Sequence, residues 1–412
     1  MTRQDRMMIR MNPGNLNLMK GLPTSMRLAG MLLVRLKKGC LDIVFRDGRT
    51  YRFEGGEPGP SGEIIVHDPS FAGRVLSRGD IGFAEAFMAG KFDTPDLAAV
   101  LEYFTQNFES AGKLAVGDRL THFISAVRHA FRANTKKGSR RNILAHYDLG
   151  NDFYARWLDP SMTYSSAIFR EPTQSLEDAQ QDKYRTIATR LGLKPGMKVL
   201  EIGSGWGGFA EVAARDFGAE VTSITISDAQ HDYARNRIAR GGLSDRVNIK
   251  MCDYRDVTGT FDAVASIEMF EAVGEKYWPQ YFGKVAEALK PGGKAALQII
   301  TIDEQEFENY RARPDFIQRY IFPGGMLPSI ERIAKESARA GLGCEVAQLF
   351  GQSYAQTLAD WQIRFEREWD AIRTQGFDER FRRLWLYYLG YCQAGFRSGR
   401  IDVGHFVLTR PA

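Results

Sequence analysis

The segment Val199–Gly208, VLEIGSGWGG, is the stretch that decides the fold of this chain. Its apolar first half predicts a buried strand, and the glycines after it predict a tight turn that leads into a helix. Glycine suits such a turn because the backbone must adopt positive φ and come close to a ligand without a Cβ in the way. The segment therefore predicts a ligand-binding turn between a strand and a helix.

The end of the next strand separates two classes of cofactor. Dinucleotide-binding folds place an Asp or Glu at the end of their second strand, where it binds the ribose. Here the strand predicted at Glu220–Ile226 ends without an acid, whereas Glu201 stands just before the glycines. This combination favours a methyltransferase that binds S-adenosylmethionine (SAM) over a dehydrogenase.

Strands and helices alternate from Lys198 onward. The predicted strands are Lys198–Ile202, Glu220–Ile226, Val247–Cys252, Phe261–Ile267, Ala295–Ile302 and His405–Thr409, and two of the predicted helices are Ala229–Ala239 and Lys276–Leu289. Alternation of this kind predicts a parallel sheet with helices on both faces. We therefore expect an α/β fold of the Rossmann-like class I methyltransferase type, with a mostly parallel seven-stranded sheet whose edge strand is the last one.

The length of 412 residues predicts more than one domain. Alternating apolar residues on both sides of Asp47–Gly48 predict a hairpin, and helical patterns follow it, so the N-terminal part is expected to be a small α+β domain. The predicted boundaries are residues 1–112 for this domain, 113–141 for a connecting segment and 142–412 for the methyltransferase domain. An insertion near 303–395 carries the aromatic segment Phe316–Pro328, interpreted as the wall of an acyl pocket or as a satellite hydrophobic cluster.

Composition and charge argue against a membrane-spanning, a secreted and a metal-binding protein. The net charge of +5 is mild, no apolar run is long enough to span a bilayer, and no secretory signal is evident, so a cytoplasmic protein is expected. The four cysteines have neither disulfide-like nor zinc-like spacing, so no metal is expected. Basic residues crowd the end of segment 113–141, which is either an amphipathic stretch that contacts anionic lipid or a packed helix followed by a linker.

Several further segments, taken in order, carry a resemblance to a known family. They are His146–Tyr154, Leu158–Pro160, Met162–Ala167, the glycine turn, Thr225–Ser227 with Gln230, Met269–Gly274, Tyr320–Pro323 and Cys392–Arg397. Together they resemble the cyclopropane-fatty-acyl-phospholipid synthases and their mycolic-acid relatives over roughly residues 140 to 410. The resemblance implies a SAM-dependent C-methyltransferase. Its expected substrate is a cis double bond of an unsaturated phospholipid acyl chain, which is methylated through a carbocation.

The resemblance also implies the residues that surround the cofactor. These are Tyr164, Ser165, Glu201, Gly203, Ser204, Gly205, Gly207, Thr225, Ser227, Gln230 and Tyr254. Asp253 ends the third strand, where its carboxylate either accepts a hydrogen bond from the adenine amino group or is a plain strand-end acid.

In the family a bound bicarbonate removes the final proton, held by positions that match Ser166, Glu271, Gln298, Ile300 (through its backbone) and Tyr354. This chain departs from the pattern in having serine in place of cysteine and glutamine in place of histidine. Glutamine never carries positive charge, so we expect it to hold an anion less firmly, and the carboxylate of Glu271 makes bicarbonate less favourable still. Ring closure to a cyclopropane and formation of a methyl-branched chain therefore both remain open.

Three other residues carry further predictions. Cys392 matches a cysteine once assigned as the family's nucleophile, but alkene methylation requires no thiolate, so we favour packing. Glu268 either lines the site or, as we prefer, caps a helix, and His146 is expected to satisfy a backbone group.

Partners and alternative functions follow from the same residues. The expected partner is the anionic surface of a phospholipid bilayer, contacted peripherally at the inner face of the membrane; a homodimer is one compatible assembly, and no nucleic acid is expected. A small-molecule methyltransferase and a catalytically idle lipid-binding homologue are the alternative functions.

Overall fold

The computed structural model describes residues 6–107 and 149–412. The basic segment 113–141 and the residues from His146 to Asp148 lie outside the described residues. The described chain forms two compact units. The first contains residues 6–107 and Trp369–Ser398, and the second contains residues 149–368 and Gly399–Ala412.

Strands and helices are numbered along the described residues. The strands are β1 (Met7–Met11), β2 (Lys38–Phe45), β3 (Arg49–Glu54), β4 (Glu57–Val66), β5 (Phe92–Asp93), β6 (Lys198–Ile202), β7 (Glu220–Thr225), β8 (Val247–Met251), β9 (Phe261–Ile267), β10 (Leu289–Ile302), β11 (Gly343–Leu349) and β12 (Ile401–Thr409). The helices are α1 (Thr24–Leu33), α2 (Phe71–Met88), α3 (Leu97–Gln106), α4 (Asn151–Trp157), α5 (Leu176–Arg190), α6 (Gly208–Phe217), α7 (Asp228–Arg240), α8 (Trp278–Ala288), α9 (Glu304–Ala312), α10 (Ile330–Arg339), α11 (Gly351–Arg367), α12 (Trp369–Arg373) and α13 (Glu379–Arg397).

The first unit is built on a five-stranded sheet in the order β1-β3-β2-β4-β5. The predicted hairpin is confirmed, since β2 and β3 pair antiparallel around the turn at Asp47–Gly48. Helix α13 packs against α2 and α3 of this unit, where Gly390 lies against Leu97. The long C-terminal helix, counted with the methyltransferase domain in the sequence prediction, therefore belongs to the first unit.

Within the described residues, the second unit contains a seven-stranded sheet in the order β11-β12-β10-β9-β6-β7-β8. Strands β6 to β10 pair in parallel, and β12 runs antiparallel to both of its neighbours. The expected mostly parallel sheet is confirmed, but the expected edge strand is wrong. The edge is β11, which comes from within the predicted insertion, while Val403, Phe406 and Leu408 of β12 are fully buried as an inner strand requires.

Two hydrophobic cores cover the two faces of this sheet. One packs α8 and α10 on strands β6, β9 and β10, and the other packs α5, α6 and α7 on β6, β7 and β8. The strand order reverses beside β6, whose neighbours β7 and β9 continue the chain in opposite directions across the sheet. Ligands of open α/β sheets bind at the carboxyl ends of the strands at such a point. This position coincides with the glycine turn.

The predicted insertion at 303–395 is not a single wall. It supplies α9, α10, the edge strand β11 and α11 to the second unit, and its last part belongs to the first unit. The aromatic segment Phe316–Pro328 contains a π-helical turn at Ile317–Ile321, and its Met326 packs into the core beside α8. The acyl-pocket interpretation of this segment stays a prediction.

Candidate active site

The glycine turn has the conformation that its sequence predicts. Gly203, Gly205 and Gly207 have φ of 96°, 49° and 87°, in the left-handed region that favours glycine. A Cβ built on Gly205 would meet no atom within 4 Å, so open space adjoins the turn, and helix α6 begins directly after it at Gly208. An open turn that leads into a helix N-terminus suits a ligand with an anionic group. The carboxylate of SAM is such a group.

Glu201 lies in the core beside this turn. It is buried, and its Oε2 atom accepts a hydrogen bond of 2.5 Å from Ser223 Oγ, which also lies 2.7 Å from Ser204 Oγ. Burial raises the pKa of Glu201 to about 8. The carboxyl group of Glu201 therefore links β6, β7 and the glycine turn from the core of the protein.

The segment after β7 is ordered by its own hydroxyl groups. Ser227 stands at the N-cap of α7, where its Oγ accepts from the Gln230 N–H, and Thr225 Oγ1 donates to Gln230 Oε1 over 3.0 Å. All three side chains are buried. The structure thus brings the predicted residues after β7 together in one hydrogen-bonded group.

Asp253 follows β8 and binds its neighbour. Its Oδ1 atom accepts from the backbone N–H and the Nε–H of Arg255, and its Oδ2 atom lies 2.5 Å from Arg255 Nη2. The side chain also caps the short 3-10 turn Tyr254–Asp256. This geometry favours the plain strand-end interpretation of Asp253, and Tyr254 packs edge-on against Tyr281.

An aromatic wall is formed by residues of α4, the following loop and α11. The Tyr164 ring lies 5.4 Å from Tyr154, 5.6 Å from Trp157 and 5.2 Å from Trp361, centroid to centroid, and Trp361 also contacts Tyr354 at 6.1 Å. Aromatic faces attract cations, both a sulfonium and a carbocation. The wall therefore surrounds one of the predicted cofactor residues with groups suited to positive charge.

Lys183 is a buried basic residue that the sequence analysis missed. It lies on α5, fully shielded from solvent, and its Nζ donates to Ser165 Oγ over 2.6 Å. Burial lowers the pKa of Lys183 to about 7, while the negative charges of Glu268 and Asp159 act in the opposite direction. Its place among the buried positions of α5 is the only sequence signal that could have indicated it.

The carboxylate of Glu268 is the centre of the site. Its Oε1 atom accepts from the Ser166 backbone N–H over 2.8 Å and from Gln298 Nε2 over 2.7 Å, and its Oε2 atom accepts from Tyr354 Oη over 2.7 Å. The expectation that Glu268 caps a helix is wrong. The adjacent 3-10 turn begins after Met269 and has no side-chain cap.

Glu271 is the second carboxyl group of the site. Its Oε1 atom accepts from the backbone N–H of Ile300 over 2.6 Å, and its buried Oε2 atom has no hydrogen-bond partner among the described residues. Burial and the nearby charge of Glu268 raise the pKa of Glu271 to about 8. Two like charges at close range are costly, so Glu271 keeps a proton at neutral pH while Glu268 accepts hydrogen bonds.

His405 contacts the side chain of Gln298 from the neighbouring strand. The two residues are direct partners of the antiparallel pair β10–β12, and His405 Nε2 lies 2.9 Å from Gln298 Oε1. Burial and the charges of Arg190 and Lys183 lower the pKa of His405 well below its usual value, so the ring is neutral. As an Nε2–H donor it fixes the orientation of the amide, which then points its NH₂ group at Glu268.

These contacts test whether a bicarbonate fits the residues assigned to it. The Ser166 N–H, the Gln298 amide and the Tyr354 hydroxyl all donate to Glu268, and the Ile300 N–H donates to Glu271. The chain's own carboxyl groups therefore already use the donors that a separate anion would need. A bound bicarbonate does not fit this arrangement.

Cys392 does not belong to the same unit as this cluster. It lies half-buried on α13 of the first unit, whereas the other five candidate catalytic residues belong to the second unit.

Across residues 6–107 and 149–412, no group of three His, Cys, Asp or Glu side chains is arranged to hold a metal ion. None of the helices in those ranges is long and apolar enough to cross a membrane.

Comparison with known proteins gives consistent matches. The family model for mycolic acid cyclopropane synthetase matches residues 134–406. Tuberculostearic acid methyltransferase UfaA1 of Mycobacterium tuberculosis is 38% identical over 384 residues, covering 90% of this chain and 88% of that relative. The cyclopropane-fatty-acyl-phospholipid synthase of Escherichia coli is 37% identical over 353 residues, covering 84% of this chain and 88% of its own. Among solved structures, mycolic acid cyclopropane synthase CmaA1 complexed with SAH and CTAB is 28% identical, with a TM-score of 0.61 over 66% of this chain and 98% of that one.

Proposed function

Because the chain belongs to the mycolic acid cyclopropane synthetase family and is a SAM-dependent methyltransferase of lipids, we propose that it methylates the cis double bond of an unsaturated phospholipid acyl chain. The product is a cyclopropane or a methyl-branched acyl chain. The observation that carries this proposal is the half-buried carboxylate of Glu268, which accepts a hydrogen bond from Tyr354 of the aromatic wall.

The chemistry of alkene methylation requires both the carboxylate and the aromatic wall. SAM supplies an electrophilic methyl group, and the π electrons of the alkene form the new C–C bond while the S–CH₃ electron pair stays on sulfur. An unactivated alkene is a poor nucleophile, so the pocket must be dry and must hold the double bond against the methyl group. Aromatic faces stabilise the resulting cation, and a base must then remove a proton.

The fate of that proton decides the product. Loss from the incoming methyl group closes a cyclopropane ring, whereas loss from a neighbouring chain carbon leaves a methyl-branched unsaturated chain. One of the similar proteins is named a methyltransferase and another a cyclopropane synthase, which supports both outcomes for this family.

A basic and apolar surface of the first unit supports docking on an anionic membrane. Residues 6–41 contain seven Lys and Arg residues and no Asp or Glu. Helix α1 buries Met26, Gly30 and Leu33 and exposes Leu28 and Met31 beside basic side chains. Exposed apolar groups next to cations bind the interface of a bilayer that contains anionic lipids.

The docking proposal is tested with vesicles. The double variant Leu28→Ser/Met31→Ser should bind phosphatidylglycerol vesicles several-fold more weakly than the unmodified protein in a sedimentation assay. Ile363→Ser is the matched control, because Ile363 is an exposed apolar residue of α11 in the second unit. Equal binding by all three proteins would contradict the proposed surface.

Expression in bacteria that lack cyclopropane and methyl-branched lipids tests the activity. Mass spectrometry of the fatty acids should show a gain of one methylene unit, and chemical degradation should separate a ring from a branch. A protein that binds SAM but leaves all acyl masses unchanged would favour the idle lipid-binding alternative. Transfer of labelled methyl groups to a small soluble acceptor would favour the small-molecule alternative.

A further inference from the structure

The carboxylate of Glu268 occupies a position where three hydrogen-bond donors converge from separate parts of the chain. Ser166 precedes α5, Gln298 lies on β10 and Tyr354 lies on α11. Such convergence is the usual design of an anion site. The anion found in it here belongs to the protein itself.

Burial and the groups around Glu268 act on its pKa in opposite directions. Burial has the largest effect and raises the pKa, whereas the three donors and the positive charge of Lys183 lower it. Glu271 is protonated at neutral pH, and His405 is neutral. A buried carboxylate with a raised pKa is a stronger base than one in water.

From this geometry we propose that Glu268 is the general base of the reaction and does the work of a bound bicarbonate. The inference depends on the proposed function. After methyl transfer, a C–H bond adjacent to the cation breaks and its electron pair forms the ring bond or the new double bond. The proton moves to the Glu268 carboxylate, which releases it to solvent before the next turnover.

The backbone at this residue makes a sharp test available. Glu268 has φ of 49°, in the left-handed region where glycine is favoured over every other residue. Glu268→Gly therefore removes the base without opposing the local fold, and it frees the three donors for an external anion. Glu268→Gln is the companion variant, since it keeps the size of the side chain but cannot accept a proton.

The experiment measures SAH release from purified protein with unsaturated phospholipid vesicles, in buffer freed of carbon dioxide and then with bicarbonate or formate added. The unmodified protein should keep its full rate without bicarbonate. Both variants should lose roughly 100-fold or more, the range for loss of a general base, and retain SAM affinity by calorimetry. Bicarbonate or formate should restore Glu268→Gly but not Glu268→Gln.

Three outcomes would overturn the inference: a bicarbonate requirement in the unmodified protein, full activity in Glu268→Gln, or no anion rescue of a folded Glu268→Gly that binds SAM. Glu275→Gln is the matched control, because Glu275 lies in the next turn and pairs with Arg311 at the surface. An unmodified protein that never methylates lipid, with or without bicarbonate, would instead contradict the proposed function. The two failures are therefore distinguishable.

Discussion

Replacement of Glu201 by glutamine should stabilise the protein by an amount that grows with pH. Glu201 is buried behind the glycine turn, and burial raises its pKa from 4.5 to about 8. In the unfolded chain the same carboxyl ionises near its usual value. Between these two pKa values the folded state holds a proton that the unfolded state releases, so this residue makes folding less favourable as pH rises. Glutamine has a similar shape and carries no such cost.

The magnitude follows from the size of the pKa shift. Each pH unit between 4.5 and 8 adds about 1.4 kcal/mol to the advantage of the variant. At pH 5 the gain from this source is about 1 kcal/mol; at pH 6 it is roughly 2 kcal/mol and at pH 8 roughly 4 kcal/mol. Because other titrating groups are common to both proteins, their contributions cancel in the difference.

Urea unfolding followed by circular dichroism at pH 5, 6, 7 and 8 measures this difference directly. Glu220→Gln, an exposed position at the start of β7, controls for the loss of one carboxylate. A stability difference between Glu201→Gln and the unmodified protein that stays constant from pH 5 to pH 8 would refute the reasoning, as would a difference that shrinks as pH rises.

Three further changes probe the site itself. Lys183→Met removes the donor to Ser165 and should weaken SAM binding roughly tenfold or more by calorimetry, the usual effect of losing a charged hydrogen bond. Gln298→His places a group able to carry positive charge beside Glu268, which should lower the pKa of that carboxyl and move the acidic limb of the pH–rate profile to lower pH, whereas an unmoved limb would contradict it. Tyr354→Phe removes a donor that lowers the pKa of Glu268, so the acidic limb of the pH–rate profile should move to higher pH; a profile that keeps its position would count against this role.

The strands beside the glycine turn could be predicted from the sequence because the apolar pattern that identifies them is local. Lys198–Ile202 and Phe261–Ile267 are found at their predicted bounds, and the apolar residues at the centre of each are buried by parallel pairing on both sides. Strand β11 was missed for the opposite reason. Its sequence, GCEVAQL, mixes polar and apolar residues as an exposed edge permits, so it carries no clear period.

The centre of the site could not be predicted, because its geometry depends on distant contacts. Ser166 is predicted to be an anion ligand, yet its N–H donates to a residue 102 positions later in the chain. Likewise, the prediction for Gln298 rests on the chemistry of its own amide, while its orientation is fixed by His405 on the neighbouring strand. Lys183 carries only the weak signal of its place among the buried positions of α5, because a lysine on a helix is usually solvated.

The conformation of Glu268 explains why its carboxylate is unlike an ordinary buried acid. A residue with a Cβ in the left-handed region costs roughly 1 to 2 kcal/mol, and burial of its charge adds a desolvation cost. Helix capping offsets neither of these costs, because the Glu268 side chain makes no capping hydrogen bond. The three converging donors and the cation of Lys183 offset the second cost, but they would serve an external anion equally well if residue 268 were glycine. The structure therefore retains an unfavourable backbone at the one position from which a side chain fills the donor cluster, as strain is retained where function requires it.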